Sequence, residues 1–226
     1  MFIDCHLHTS RYSPCSILEP YQALLQAREA GLQGLVITEH QVQWSIQEVR
    51  ELQSQFPDIA VFSGLEVTLA EDVDLVLIIP NQGLQIPFGL SFSSLYSRLQ
   101  DVWEGSFVFL AHALRWTDQL TPEAEEILPY IHGLEMSSVN ILNGQYQQVQ
   151  GKFKPKLLSA YQALRSKYDL LPIYNTDAHL KQAVGSIANY ISCPGLPQDE
   201  SELADILKSA EIREYQNSKL LGELLS

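Results

Sequence analysis

Cysteine is scarce in this chain of 226 residues: only Cys5, Cys15 and Cys193 are present. An odd number at such wide spacing does not make a disulfide framework, so a reduced, cytoplasmic setting is expected. Basic residues are few as well. There are 14 Lys and Arg against 27 Asp and Glu, a net charge of −13. A surface this acidic repels phosphate backbones, so no nucleic-acid scaffold role is expected. A small anionic substrate stays open, because bound divalent metals reverse the local sign. Long apolar runs are missing. The longest, Asp74–Pro80, is far too short to span a bilayer. The N-terminal Met1-Phe2-Ile3-Asp4-Cys5-His6 lacks the basic and apolar regions of a signal peptide. No membrane partner is expected. Gly-x-Gly-x-x-Gly and P-loop motifs are also missing, which removes the best support for a nucleotide-binding open sheet.

What is present is an ordinary globular composition, 46% apolar and 18% charged, in a chain long enough to bury a large core as one domain over 1–226. Short apolar runs alternate with amphipathic stretches. Strands are expected at Phe2–His8, Leu35–Thr38, Ile59–Val67, Asp74–Ile79, Phe107–His112, Ile131–Met136 and Leu170–Thr176. Helices are expected at Glu19–Ala30 with Gly31 as C-cap, at Ser45–Gln55 and at Ser91–Asp101. Ser45 and Glu48 have the spacing of a capping box. Further helices are expected after Thr121-Pro122, across Gln145–Tyr168, and once or twice in 198–226. About seven alternations predict an α/β fold with mainly parallel strands. A barrel is favoured over an open sheet, because candidate chemical residues follow many different strands.

There are six histidines, and five of them (His6, His8, His40, His112, His179) lie at or just past the end of a predicted strand. His6 and His8 are two apart on a strand and face the same way, as two ligands of one metal would. Asp177 and His179 repeat that spacing with a carboxylate and an imidazole, a pair suited to Zn, Mn or Fe. Glu39 and His40 point to opposite faces, so His40 is the ligand candidate and Glu39 a supporting group. Glu66 ends an apolar strand, where a carboxylate is costly unless it is paired or on a metal. His112 ends another strand. Each signal alone is weak, since a lone histidine is more often a satisfied core residue. Five strand ends carrying such groups make the joint case. His132 begins a strand and is read as structural.

The series Asp4-Cys-His-Leu-His-Thr9, Ile37-Thr-Glu-His40, Gly64-Leu-Glu-Val67, Ala111-His112 and Asn175-Thr-Asp-Ala-His179 resembles the PHP (polymerase and histidinol phosphatase) family, with the motifs in order within 1–190. The stretch His8–Cys15 looks like that of small stand-alone PHP proteins. The resemblance implies a distorted (β/α)7 barrel with two or three divalent metals at the C-terminal ends of the strands, and hydrolysis of phosphoesters. By family position, His6, His8, Glu66 and Asp177 would hold one metal, Glu66 and His112 a second, and His40 and His179 a third. Pro14 stands where many relatives have a ligand, so the third site is expected to be depleted. Glu39 replaces a commoner Asp. Asp74 is a candidate replacement ligand, and Glu135 sits where relatives carry an acid or a further ligand.

These features lead to the expectation of a metal-dependent phosphoesterase acting on a small phosphorylated substrate through a metal-activated water. Arg11 and Arg115, each just past a ligand, are the candidates to neutralise charge on the phosphoryl oxygens. Two other readings are an amidohydrolase-like enzyme and a non-catalytic ligand-binding PHP fold. Amidohydrolases commonly bridge their metals through a lysine at a strand end, and no predicted strand here ends in lysine. Phe88, Trp44 and Trp116 could line a base or sugar pocket, although aromatics near strand ends usually pack the core. Lys152-Phe-Lys-Pro-Lys156 reads as a solvated face.

Overall fold

The computed structural model describes residues 1–193 and 195–226. The first half of the chain runs β1 (Phe2–Leu7), α1 (Pro20–Glu29), β2 (Gly34–Ile37), α2 (Ile46–Gln55), β3 (Ala60–Ser63), β4 (Leu65–Thr68), β5 (Asp74–Ile78), α3 (Phe92–Trp103) and β6 (Phe107–Leu110). The second half runs α4 (Pro122–Glu125), β7 (Gly133–Ser137), α5 (Val139–Leu142), β8 (Tyr146–Val149), β9 (Lys152–Pro155), α6 (Leu158–Lys167), β10 (Leu171–Tyr174), β11 (Ile187–Ile191), α7 (Glu200–Ser209), β12 (Ile212–Gln216) and α8 (Ser218–Leu224).

The expected barrel is corrected: among the described residues no closed barrel forms. The strands make two five-stranded sheets, ordered β12-β11-β1-β2-β3 and β10-β7-β6-β5-β4. Gly64 is where the predicted strand Ile59–Val67 breaks and the chain passes from one sheet to the other. A Cβ at Gly64 would lie 2.6 Å from the Leu77 carbonyl oxygen, so only glycine fits. Only Leu69 to Val73 separate β4 from β5, too few for a helix, and these strands pair antiparallel. β11 runs antiparallel to both β1 and β12. The sheets still meet at the functional end. Single bridges join Leu7 to Ala178 and His40 to Glu66.

Both sheet faces are apolar, as the alternation along each strand requires. Val36, Val76, Phe107 and Phe109 join the cluster between the sheets, to which α7 adds Leu203 and Leu207. Leu35 and Ile37 turn outward under α1 and α2. Leu75, Leu77, Val108 and Leu110 turn outward under α3. The Ser45–Glu48 capping box forms as expected at α2. The predicted helix Gln145–Tyr168 is corrected to a hairpin, β8–β9, followed by α6. Gln150 (φ 52°) and Gly151 (φ 77°) make its turn, and Tyr146 packs on Phe153 across it, ring centroids 5.3 Å apart. The tail likewise contains β12 as well as helices. No helix among the described residues is long and apolar enough to cross a membrane.

Candidate metal centre

The register of β1 on β2 shifts between Asp4 and Leu7. Asp4 Oδ1 supports that irregularity, accepting the His6 and Thr176 N–H groups at 3.3 and 3.1 Å. Burial pushes the Asp4 carboxyl up to about 7, against the lowering effect of the Thr176 and His6 hydrogen bonds. Such a bulge re-aims side chains, and here His6 and His8 converge. Their Nε2 atoms lie 3.1 Å apart in a fully buried setting. The end of β1 bonds directly to the loop after β10: Asp177 N–H donates to His6 O (2.8 Å) and His8 N–H to Ala178 O (2.9 Å). The His6/His8 and Asp177/His179 pairs, far apart in the chain, are therefore neighbours through a backbone bridge.

Glu66 is the centre of the site. Its Oε1 lies 3.4 Å from His6 Nε2 and 3.0 Å from His112 Nε2. Its Oε2 lies 3.2 Å from His8 Nε2 and 2.9 Å from His40 Nδ1. Asp177 Oδ1 stands 3.5 and 3.4 Å from the same His6 and His8 nitrogens. Three groups offer ligand atoms mutually within 4.8 Å: His6 with His8 and Asp177, His6 with Glu66 and His112, and His8 with His40 and His179. Burial works against charge here, yet the facing imidazoles hold Glu66 and Asp177 well below the usual carboxylate range. In return Asp177 and Glu66 lift His6 and His8, the latter to about 9, and Glu66 lifts His112 to about 9. His179 moves down, through its burial and the neighbouring His8.

The hydrogen bonds behind the ligands fix their tautomers. His6 Nδ1 donates to Glu135 Oε1 at 3.1 Å. His8 Nδ1 donates to Ser13 Oγ at 3.3 Å, because the Ser13 hydroxyl itself donates to Glu39. With both rings neutral, the Nε2 lone pairs are thereby aimed at one point. Two lone pairs 3.1 Å apart repel unless a positive charge lies between them. With two carboxylates alongside, this donor set fits a divalent cation of the Zn, Mn or Fe kind, whose binding displaces protons from imidazole. The backbone is strained at the same place. His112 (φ 27°), Asp177 (φ 51°) and Gln41 (φ 63°) all lie in the left-handed region, a feature that concentrates at functional sites.

Of the other sequence candidates, Glu39 sits behind the ligands, accepting from Thr9 N (3.1 Å), Trp44 Nε1 (3.1 Å) and Ser13. Glu135 accepts from His6, from Asn175 Nδ2 (3.0 Å) and from His112 N (3.0 Å), and so braces two candidate ligands. Asp74 stands outside the three ligand groups. Its Oδ2 is 3.9 Å from His112 Nδ1, on the far side of that ring from Glu66. Arg115 borders the cavity over the ligands, about 380 Å³ in volume. Arg11 does not. It pairs with Glu48 and lies 5.1 Å from the Trp44 ring centroid, beside a different hollow. His132 accepts the Val108 N–H at 3.0 Å, away from the cluster. Ser13 and Asn140, whose Nδ2 donates to Asp177 Oδ2 at 2.6 Å, were not visible as site residues in the sequence. Ser13 lies within the His8–Cys15 stretch that carries the family resemblance; Asn140 has no such cue.

Comparison with protein-family profiles and with curated proteins finds no match in sequence. Among solved structures, PsfC from Pseudomonas syringae PB-5123 matches at 16% identity and TM-score 0.68, over 99% of this chain and 95% of that one. A two-domain protein from Bacteroides vulgatus containing a predicted PHP-like metal-dependent phosphoesterase matches at 13% identity and TM-score 0.70, over 96% of this chain and 64% of that one. Endonuclease Q, in complex with a 27-mer duplex substrate carrying an abasic lesion at the active site, matches at 14% identity and TM-score 0.60, over 93% of this chain and 58% of that one. This chain thus spans less than two thirds of the latter two. At these identities the shared property is the fold, and it supports the PHP resemblance read from the motifs. One expectation is corrected. A protein of this fold holds a nucleic-acid duplex at its active site, so net charge does not exclude nucleic acid in favour of a small phosphorylated molecule. Net charge sums a whole surface, whereas a substrate meets one cleft whose sign is set locally.

Proposed function

We propose that this protein is a divalent-metal-dependent phosphoester hydrolase, with nucleic-acid phosphoesters as the substrate class that its fold neighbours favour. The observation that carries the reading is Glu66, one buried carboxylate with four imidazole nitrogens within 3.4 Å of its two oxygens. Such a set of imidazoles and carboxylates would suit divalent cations held at Glu66. His6, His8, Glu66 and Asp177 would hold one cation, Glu66 and His112 a second, and His40 and His179, beside His8, a third. Bound there, divalent metal supplies Lewis-acid polarisation of a phosphoryl oxygen and an activated water near neutral pH.

The chain's own residues supply the rest. Glu135 and Ser13 hold His6 and His8 in the tautomers that present Nε2. His179 Nδ1 donates to the Asp177 carbonyl oxygen at 3.0 Å, which leaves its Nε2 as the free acceptor. Arg115 is steadied by Asn140, 3.4 Å from a guanidinium nitrogen, and faces the cavity where phosphoryl charge develops. No lysine lines this cavity, which weighs against an amidohydrolase-type bridge.

The test is turnover. Protein loaded with Mn or Zn is assayed on aryl phosphodiesters, phosphomonoesters and short oligonucleotides. Hydrolysis is expected, abolished in Glu66→Ala, reduced roughly 10²-fold in Arg115→Ala and unchanged in Arg11→Ala. Protein that binds metal yet cleaves none of these substrates would overturn the reading.

A further inference from the structure

A second cavity adjoins the metal cavity and shares part of its wall. It measures about 220 Å³, and Thr68, Asp74, His112 and Trp116 border both. Trp116 is the unusual member. Of the three tryptophans, Trp44 and Trp103 are 2% and 5% exposed, whereas Trp116 is 82% exposed. Packing does not explain its position. One side of its ring is covered by its neighbour: the Arg115 guanidinium carbon stands 4.4 Å from the ring centroid. Arg115 is fixed in turn, its carbonyl oxygen accepting from Gln145 Nε2 at 2.9 Å and its guanidinium meeting Asn140, which donates to Asp177. The indole is thus a flat surface tied through two side chains to a metal ligand, with its other side open.

The two cavities differ in charge. The metal cavity sets Arg115 and the imidazoles of His40, His112 and His179 against the carboxylates of Glu66, Asp74 and Asp177, so it offers positive groups to a phosphoryl oxygen. The second has Glu71, Asp72 and Asp74 and no lysine or arginine in its lining, so it disfavours phosphate and favours groups that donate hydrogen bonds. Glu71 is already engaged, accepting the Phe92 N–H with both oxygens. Asp72 is exposed, and Asp74 Oδ2 has only the distant His112 Nδ1 at 3.9 Å. At this volume the cavity falls below the roughly 300–1,000 Å³ of whole-ligand pockets, and suits one ring system rather than a polymer.

We propose that this cavity is the nucleoside subsite of the phosphoester substrate, with the base stacked on Trp116 and its amino or sugar hydroxyl groups donating to Asp72 and Asp74 while the attached phosphate lies over the metal ligands. The proposal rests on the phosphoesterase reading but is measured separately. Adenosine carries no phosphate, so its binding reports the subsite without turnover. Titrated into the wild-type protein, adenosine should quench the exposed tryptophan saturably, while ribose should not. Calorimetry should show adenosine affinity falling roughly 5- to 150-fold in Trp116→Leu, the range of base–aromatic stacking. Trp116 is on the surface, so the variant folds, and circular dichroism checks this. With metal loaded, the same variant should raise KM for an oligonucleotide more than for an aryl phosphodiester. No saturable adenosine binding to wild type, or unchanged affinity in Trp116→Leu, overturns the subsite even if aryl phosphodiesters are cleaved. Adenosine binding that depends on Trp116, without cleavage of any phosphoester, supports the subsite and overturns the phosphoesterase reading instead.

Discussion

His6 and His8 point their Nε2 atoms at each other across 3.1 Å, with both Nδ1 atoms already committed to partners behind them. An isolated imidazole pair would turn one ring away. This pair is held by Glu135 on one side and by Ser13 and Glu39 on the other. When both rings are neutral this arrangement is repulsive unless a positive charge lies between them, and Glu66 and Asp177 stand where a doubly charged cation would be balanced.

If Glu135 fixes the His6 ring, removing its charge should loosen the metal without removing a ligand. Glu135→Gln is expected to lower Zn or Mn affinity roughly 10- to 100-fold, the usual cost of losing such a partner. Calorimetric titration of the two proteins checks this. Equal affinities would mean that Glu135 is packing alone.

Gly64 lets the chain change sheets two residues before Glu66. Gly64→Ala would place a methyl group 2.6 Å from the Leu77 carbonyl oxygen, an overpacking cost of about 1–3 kcal/mol. Thermal unfolding should show a lowered Tm. Metal affinity should fall too, because a backbone shift here moves Glu66.

The fold was legible in the sequence where periodicity is local. The strands carrying His6 and Glu66, the strand that ends two residues before His112, and the capped helix after Ser45 follow from alternation and capping residues. The closed barrel did not survive, because sheet closure depends on which distant edges pair. β11 and β12 pair antiparallel through contacts that have no local signature. The hairpin at Tyr146–Pro155 lies within a stretch whose spacing predicts helix, although Gln150-Gly151 marks a turn. The ligand candidates were visible because imidazoles and carboxylates at apolar strand ends are costly without a function. Ser13 and Asn140 were not, since a serine or asparagine in a loop is unremarkable until its partner is known. Arg11 was misplaced for the opposite reason. Nearness in sequence to His8 counted for it, while Glu48, 37 residues away, holds it elsewhere.

Glu48 gives a pH signature remote from the candidate metal ligands. Burial would raise its carboxyl, but hydrogen bonds from Tyr12, Ser45 and Arg11 outweigh that and hold it at about 2. A depressed acid stabilises the fold above its unfolded value of 4.5, and the contribution is lost as pH falls from there toward 2. Wild type should exceed Glu48→Gln in Tm at pH 6, with the difference shrinking below pH 4.5. A difference independent of pH would show that capping geometry, rather than charge, is what Glu48 provides.

These imidazoles and carboxylates are expected to assemble around metal. Diffraction from metal-loaded crystals, collected on both sides of the metal's absorption edge, tests it most directly. An anomalous peak is expected at the point shared by His6 Nε2, His8 Nε2, Asp177 and Glu66, and a second beside Glu66 and His112. No anomalous peak at the His6–His8 point in metal-loaded crystals would contradict it, and would leave that pair sharing a proton instead.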